Sequence, residues 1–170
     1  AILTDSCCDI PVEISKNLDI EVLCIPIAID GKSYLERQDF TNQEFYHLLL
    51  KSKEIPSTSR INTAEYLECY RRAAQEGYEG LINVIISGTG SGTFESAQMA
   101  VDLFKKEEPE LASKMRIQLI DSRSYCMGYG YAVIQAAKML RQGANFEDTV
   151  AYIQEWVDSV EIYLACYTLD

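Results

Sequence analysis

The sequence predicts an α/β fold in which a mainly parallel sheet carries helices on both faces and a β-hairpin forms an excursion. Short runs of branched apolar residues, such as residues 81–86, are typical of strands that are covered on both faces. The segments between such runs, for example residues 94–104, repeat apolar residues at helical spacing. Because strands that alternate with helices form parallel sheets, the polar residues that follow the strands should meet at one edge.

Composition indicates a single acidic domain. The 170 residues carry a formal net charge of −11, and 48% of them are hydrophobic, which is enough for a sizeable core. Nucleic-acid binding is disfavoured because it requires a basic surface. No apolar run approaches the ~20 residues of a membrane span, and no signal-peptide pattern is visible, so we expect a cytoplasmic protein.

Neither a metal nor a cofactor is expected. The six cysteines show no disulfide framework and no C-x-x-C motif, which favours reduced thiols. His47 is the only histidine, so a Cys/His metal site has almost no candidate ligands. A lone histidine on a helix is more often a surface or partly packed residue than a catalyst.

Start and stop signals place the elements. Strands are expected at residues 1–6, 21–29, 32–35, 81–86, 116–120 and 161–167, and helices are expected to begin near Pro11, Thr41, Thr63, Thr93, Glu110, Cys126 and Asn145. Pro26 lacks a ladder donor, so its strand should lie at an edge or bend. Asp30-Gly31 predicts a hairpin turn. Thr41 and Glu44 form a capping box, and Thr63 is expected to cap the helix that follows.

Two further segments draw attention. Residues 55–60 are expected to form a polar loop that carries three hydroxyls and a cation. Gly128 and Gly130 stand near the start of a helix, which indicates a close backbone approach or an irregular helix start.

A glycine-rich loop, residues 87–93, joins a buried strand to a helix. Five of these seven residues are glycine or serine. The first N–H groups of a helix lack backbone partners and attract anions, and Ser91 and Thr93 add hydroxyl donors. The alternative is a helix cap that happens to be rich in glycine.

Other polar residues should meet this loop at the same sheet edge. Asp5-Ser6 and Asp121-Ser122 each follow a strand, and the Thr58-Ser59-Arg60 loop can close over the edge. Hydroxyls, glycines and one arginine fit a carboxylate or phosphate head group. Asp5 and Asp121 have an internal alternative, because strand-end aspartates often accept N–H bonds from turns.

Common enzyme templates fit poorly. The sequence lacks G-x-x-x-x-G-K-[ST], and its glycine loop matches neither G-x-G-x-x-G nor G-x-S-x-G. A Ser–His–Asp triad would require His47, which lies in an upstream helix rather than a late loop. A binding module is therefore favoured over a self-sufficient enzyme.

Several ordered motifs resemble the DegV family of bacterial fatty-acid-binding proteins. The matching segments are residues 4–11 (TDSCCDIP), 25–27 (IPI), 30–34 (DGKSY), 56–59 (PSTS), 91–97 (SGTFESA) and 121–124 (DSRS), followed by Gly128 and Gly130. The resemblance implies a two-domain protein that buries a long-chain fatty acid between its domains. It also implies that a separate kinase phosphorylates the presented carboxylate for phospholipid synthesis, so that the protein is a carrier and not an enzyme.

The resemblance implies that hydroxyls such as those of Thr58, Ser91 and Thr93 hold the carboxylate. The full set of expected ligand-binding residues is Thr58, Ser59, Ser91, Gly92, Thr93 and Ser122, with Asp5, Ser6 and Asp121 in supporting roles. This sequence departs from the family at Arg60-Ile61, where Gln-Pro is usual, and only the opening strand of the family's second domain is expected in it.

Residues 1–160 are thus expected to form the head-group domain, and residues 161–170 the first strand of an otherwise absent second domain. Two alternatives stay open. One is a phosphotransferase-type enzyme domain of a related α/β fold, and the other is a structural fragment that binds nothing.

Overall fold

A computed structural model describes residues 1–163 and residue 165 of the chain. The described elements, in chain order, are β1 (Ile2–Asp5), a 3-10 turn (Ser6–Cys8), α1 (Val12–Asn17), β2 (Ile20–Leu23), β3 (Pro26–Ile29), β4 (Lys32–Leu35), α2 (Asn42–Lys51), β5 (Ser57–Thr58), α3 (Thr63–Gln75), β6 (Gly80–Ile85), α4 (Thr93–Glu107), α5 (Pro109–Ala112), β7 (Arg116–Asp121), α6 (Met127–Arg141) and α7 (Phe146–Ser159).

Four parallel strands form the main sheet in the order β2-β1-β6-β7, which confirms the predicted α/β fold. From β1 the chain moves to β2 on one side and later returns to β6 on the other side of β1. The strand order therefore switches direction between β1 and β6. In sheets of this kind, ligands bind outside the carboxyl ends of the strands at such a switch.

Both faces of the sheet are covered. Successive side chains of a strand point to opposite faces, and β6 is buried at every position from Leu81 to Ile85. On one face, the amide of Asn83 donates to the Tyr70 hydroxyl of α3 at 2.9 Å, and α3 packs against α4. Helices α6 and α7 pack against each other, and α6 contacts β1. The helices therefore cover the parallel sheet and hold in place the edge at which its strands end.

The strand expected at residues 21–29 is in fact two strands. β2 belongs to the parallel sheet, whereas β3 begins at Pro26 and belongs to a separate antiparallel sheet of order β4-β3-β5. The bend expected at Pro26 is thus a complete change of sheet. The predicted hairpin is confirmed, because Asp30 and Gly31 have φ values of 48° and 76°, as a two-residue turn between twisted strands requires.

One expected helix cap is confirmed, and another lies one residue earlier than expected. The capping box of Thr41 and Glu44 is present at the start of α2. Asn62, and not Thr63, caps α3, because the Asn62 side chain accepts from the Glu65 N–H at 3.0 Å. The expected polar loop at residues 55–60 contains the two-residue strand β5, which pairs with β3.

The end of the chain is only partly described. Residues 161–163 and 165 belong to neither a helix nor a strand, and the rest of the strand expected at residues 161–167 lies outside the described residues. In the part of the chain that is described, no helix has both the length and the apolar character needed to cross a membrane.

Candidate functional site

Asp5, at the end of β1, accepts hydrogen bonds from two backbone N–H groups and from one side-chain hydroxyl. Its carboxylate accepts from the Ile86 N–H at 2.7 Å, the Tyr129 hydroxyl at 2.6 Å and the Cys7 N–H at 3.1 Å. Burial raises the pKa of this carboxyl group, and these hydrogen bonds act in the opposite direction. Because Asp5 is fully buried and already hydrogen-bonded, the geometry favours the internal alternative.

Asp121 has a similar role at the end of β7. Its Oδ1 accepts from the backbone N–H of Gly88 at 3.0 Å and from that of Arg123 at 2.9 Å. The first bond fastens the glycine loop to the neighbouring strand. Asp121 therefore shapes the loop on which Ser91 lies.

The two predicted serines at strand ends also make internal hydrogen bonds. Ser6 accepts from the Ile25 N–H at 2.9 Å and donates to the Glu36 carboxylate. Ser122 is fully buried, and its hydroxyl donates to the Ser124 carbonyl oxygen at 3.2 Å. Neither serine lines the cavity described below.

The glycine loop forms a tight turn before α4. The N–H groups of Gly90 and Ser91 both donate to the Ser87 carbonyl oxygen at 3.1 Å. Gly92 is the N-cap of α4 and has no side chain with which to cap the helix. The loop thus brings the N-terminus of a 15-residue helix to the carboxyl edge of the sheet.

Ser91 and Thr93 are coupled. Their hydroxyl oxygens lie 2.9 Å apart, and the Thr93 N–H donates to the Ser91 Oγ at 3.3 Å. Thr93 is fully buried behind Ser91 and does not line the cavity. When the Thr93 hydroxyl also donates to Ser91, the Ser91 proton is left for a ligand. Direct contact between Thr93 and a ligand stays a prediction, and its described contacts are those of a positioning residue.

The segment around strand β5 forms the wall of the site that faces the glycine loop. The pairing of Thr58 with Ile27, and a 3.0 Å bond from the Ser59 N–H to the Pro26 carbonyl oxygen, hold this segment opposite the glycine loop. A cavity of about 370 Å³ lies between the two segments. It is lined by Cys7, Ile25, Thr58, Ser59, Arg60, Ile86, Gly90, Ser91, Gly92 and Tyr125. Four of the predicted ligand-binding residues, Thr58, Ser59, Ser91 and Gly92, are therefore brought together.

Six of the ten lining residues were not among the predicted ligand-binding residues, and two of these six, Tyr125 and Arg60, lie against glycines of the loop. Tyr125 lies so close to Gly90 that a Cβ at Gly90 would overlap the phenol oxygen. Arg60 lies against Gly92, where a Cβ would stand 3.1 Å from the arginine Cδ. No sequence pattern pointed to Tyr125, whereas the cationic loop had pointed to Arg60 without giving it a role.

The start of α6 explains the paired glycines. A Cβ at Gly130 would overlap the backbone carbonyl oxygen of Cys8, so α6 can approach the end of β1 only with glycine at this position. The helix also starts irregularly, because Cys126 has φ 54° and ψ −143°. Both expectations for this segment are met.

Neither a thiol nor the histidine provides a nucleophile in this cavity. Burial, followed by the charge of Asp5, raises the pKa of the Cys7 thiol well above its usual range, which keeps it protonated. His47 bonds through Nδ1 to the Gln43 carbonyl oxygen at 2.9 Å and is not among the lining residues. Among the described residues, no group of three or more His, Cys, Asp or Glu side chains could hold a metal ion.

A larger groove of about 740 Å³ lies beside the start of β7. Three charged residues line it: Arg116 and Glu147 pair with each other, and Lys105 is the third. The Arg116 guanidinium also stacks 4.5 Å from the centre of the Phe146 ring. The groove is not at the switch in strand order. The smaller cavity therefore fits an anionic head group better.

Comparisons with known proteins agree with this architecture. Residues 1–170 match a family model described as an uncharacterised protein of the DegV family. A DegV domain-containing protein of Caldanaerobacter subterraneus subsp. tengcongensis is 34% identical over the whole chain, which spans 57% of that relative's length.

Solved structures give the same result. A fatty acid binding DegV family protein from Streptococcus agalactiae has a TM-score of 0.78 and 31% identity, covering 93% of this chain and 53% of its own. A stearic acid-binding protein from Eubacterium ventriosum has a TM-score of 0.79 and 25% identity, covering 90% and 51%. This chain belongs to the DegV family.

Proposed function

We propose that the cavity between β5 and the α4 N-terminus binds the carboxylate of a long-chain fatty acid. The observation that carries this proposal is that three hydroxyl residues, Thr58, Ser59 and Ser91, line one cavity at a helix N-terminus, and that the same lining includes the apolar residues Ile25 and Ile86. The relatives described as fatty acid binding and stearic acid-binding support the choice of ligand.

The energetics suit a lipid carboxylate. Burying an acyl chain contributes ~0.8 kcal/mol per methylene group, so a long chain supplies on the order of 10 kcal/mol. Hydrogen bonds to a charged group add about 1.5–3 kcal/mol each and select the head group. The relatives are longer than this chain, so their additional residues would be available to cover the acyl chain.

We further propose that the protein is a carrier. It would present the carboxylate at the sheet edge to a separate kinase, which forms an acyl phosphate for phospholipid synthesis. A carrier of this kind needs no nucleophile or metal of its own. A cytoplasmic location is supported by the free thiols of the described cysteines Cys7, Cys8, Cys24, Cys69 and Cys126.

Native mass spectrometry with lipid extraction tests the proposal. The purified chain should carry fatty acid, and the Thr58→Ala, Ser91→Ala double variant should lose at least about tenfold in affinity because two hydroxyl donors are removed. Ser113→Ala removes an exposed hydroxyl at the end of α5 and is the matched control. Unchanged fatty-acid affinity in the double variant, or a lipid-free protein that retains a nucleotide, would overturn the proposal.

The phosphotransferase alternative has its own test. It requires phosphoryl transfer by the purified chain that is abolished in His47→Ala. The carrier proposal expects no such activity, because His47 lies outside the cavity.

A further inference from the structure

The lining of the cavity carries one formal charge. Nine of its ten lining residues are neutral, and the tenth is Arg60. An anionic head group in this cavity would therefore meet hydroxyls, helix N–H groups and a single guanidinium. The guanidinium is the strongest of these groups, because it supplies both charge and a planar pair of donors that matches a carboxylate or a phosphate.

Arg60 lies at the positive end of α4. Its side chain crosses the N-cap, where a Cβ at Gly92 would stand 3.1 Å from Cδ and 3.3 Å from Nη1. A cation at a helix N-terminus is unfavourable unless an anion accompanies it. Glu95, in the first turn of α4, is that anion here, with its Oε2 3.3 Å from the Arg60 Nη1.

The pair with Glu95 is easily exchanged. Arg60 and Glu95 have side chains that are 54% and 71% exposed, and ion pairs this exposed contribute little to stability. Among the described residues, Glu95 is the hydrogen-bond partner of the Arg60 side chain, and it accepts from one guanidinium nitrogen, Nη1. A buried head group that accepts two parallel N–H bonds would compete well with such a partner.

We propose that Arg60 is the charge-selecting residue of this cavity. The arginine leaves Glu95 and binds the anionic head group of a single-chain lipid, either a carboxylate or a phosphate monoester. Uncharged lipids of the same length are disfavoured, because they leave the guanidinium and the helix N-terminus without an anion. This proposal rests on the proposed function and adds to it the charge class of the ligand and the residue that selects it.

Titration calorimetry with three ligands of equal chain length tests the proposal: dodecanoate, dodecyl phosphate and 1-dodecanol. Arg60→Gln should weaken both anions about tenfold and leave the alcohol within about twofold of wild type. Glu95→Gln should tighten both anions about two- to threefold, because it removes the competing carboxylate. Thermal unfolding of each variant, monitored by circular dichroism, confirms that the exposed substitutions leave the fold intact.

The matched controls are Arg116→Gln and Glu147→Gln. This second arginine–glutamate pair is 61% and 64% exposed and lines the distant groove, so neither change should alter binding of any ligand. Dodecanoate that binds wild type and Arg60→Gln equally overturns the role of Arg60 and leaves the proposed function standing. A wild-type chain that binds none of the three ligands overturns both.

Discussion

At the scale of single residues, Asp5 shows how a polar residue at a strand end can build a site without touching a ligand. Its carboxylate joins the turn after β1, the end of β6 and the Tyr129 hydroxyl of α6. Two of those segments contribute lining residues to the cavity, Cys7 from the turn after β1 and Ile86 from the end of β6, so the hydrogen bonds of Asp5 set the relative positions of these two walls.

Replacing Asp5 with asparagine should destabilise the protein by about 1–3 kcal/mol, because the amide nitrogen must face a buried N–H or hydroxyl donor and leaves it unpaired. Urea unfolding at neutral pH measures this. Asp102→Asn, an exposed change on α4, is the matched control and should cost less than about 0.5 kcal/mol.

The difference in unfolding free energy between wild type and Asp5→Asn should depend on pH. The pKa of Asp5 is raised in the folded state above its ordinary value of 3.8, so the folded protein binds this proton more tightly than the unfolded chain does. The stability that this group contributes is therefore greatest below pH 3.8 and is lost as the pH rises through the folded pKa. The difference in unfolding free energy between wild type and Asp5→Asn should shrink as the pH rises from about 4. A difference that grows over this range would contradict the assigned direction.

At the scale of elements, the position of α6 depends on one glycine. Gly130 lies against the Cys8 carbonyl oxygen, and the first turn of α6 is further tied to α7 by a 2.7 Å bond from the Trp156 indole N–H to the Gly128 carbonyl oxygen. These contacts hold the start of α6, and with it Tyr129, beside the end of β1.

Gly130→Ala should therefore cost about 3 kcal/mol, because the new Cβ overlaps backbone that cannot move without shifting α6 or the turn after β1. Gly31→Ala is a useful comparison, since Gly31 has φ 76° with nothing within 4 Å of the added Cβ. The comparison variant should lose only about 1 kcal/mol, from backbone strain. Equal losses in thermal or urea unfolding would show that close approach is not what requires glycine at residue 130.

Elements with local signals could be predicted, and those that depend on distant partners could not. The Asp30-Gly31 hairpin and the Thr41 capping box are set by neighbouring residues, so the pattern was sufficient. The apolar run at residues 21–29 looks like one strand, because β2 in the parallel sheet and β3 in the antiparallel sheet are built from the same types of residue. The pairing of β5 with β3 spans two residues and leaves no periodicity to detect.

At the scale of the whole molecule, strand order places the site. The alternation of strands and helices predicted the parallel sheet, and the sheet predicted that polar loops would meet at its carboxyl edge. Sequence alone could not divide those polar residues between internal and ligand-facing roles. Asp5 and Asp121 accept backbone N–H groups brought from elsewhere in the fold, whereas Thr58 and Ser91 are left facing the cavity.

Tyr125 and Arg60 line the cavity, but the sequence could not predict that they would. Tyr125 reaches the cavity because the turn after β7 folds over Gly90, a contact between residues 35 positions apart. The Arg60 side chain lies against Gly92, which has no side chain to obstruct it, and forms an ion pair with Glu95. Neither relation appears in a local pattern.

Two-dimensional ¹H–¹⁵N NMR of this chain titrated with dodecanoate tests whether the cavity between β5 and α4 holds a fatty carboxylate. If it does, saturable amide shifts should be largest at residues 58–60 and 90–93, on the two sides of the cavity. Shifts that instead concentrate at residues 115–118 and 146–151, around the groove beside β7, would contradict it, as would a titration with no saturable shift.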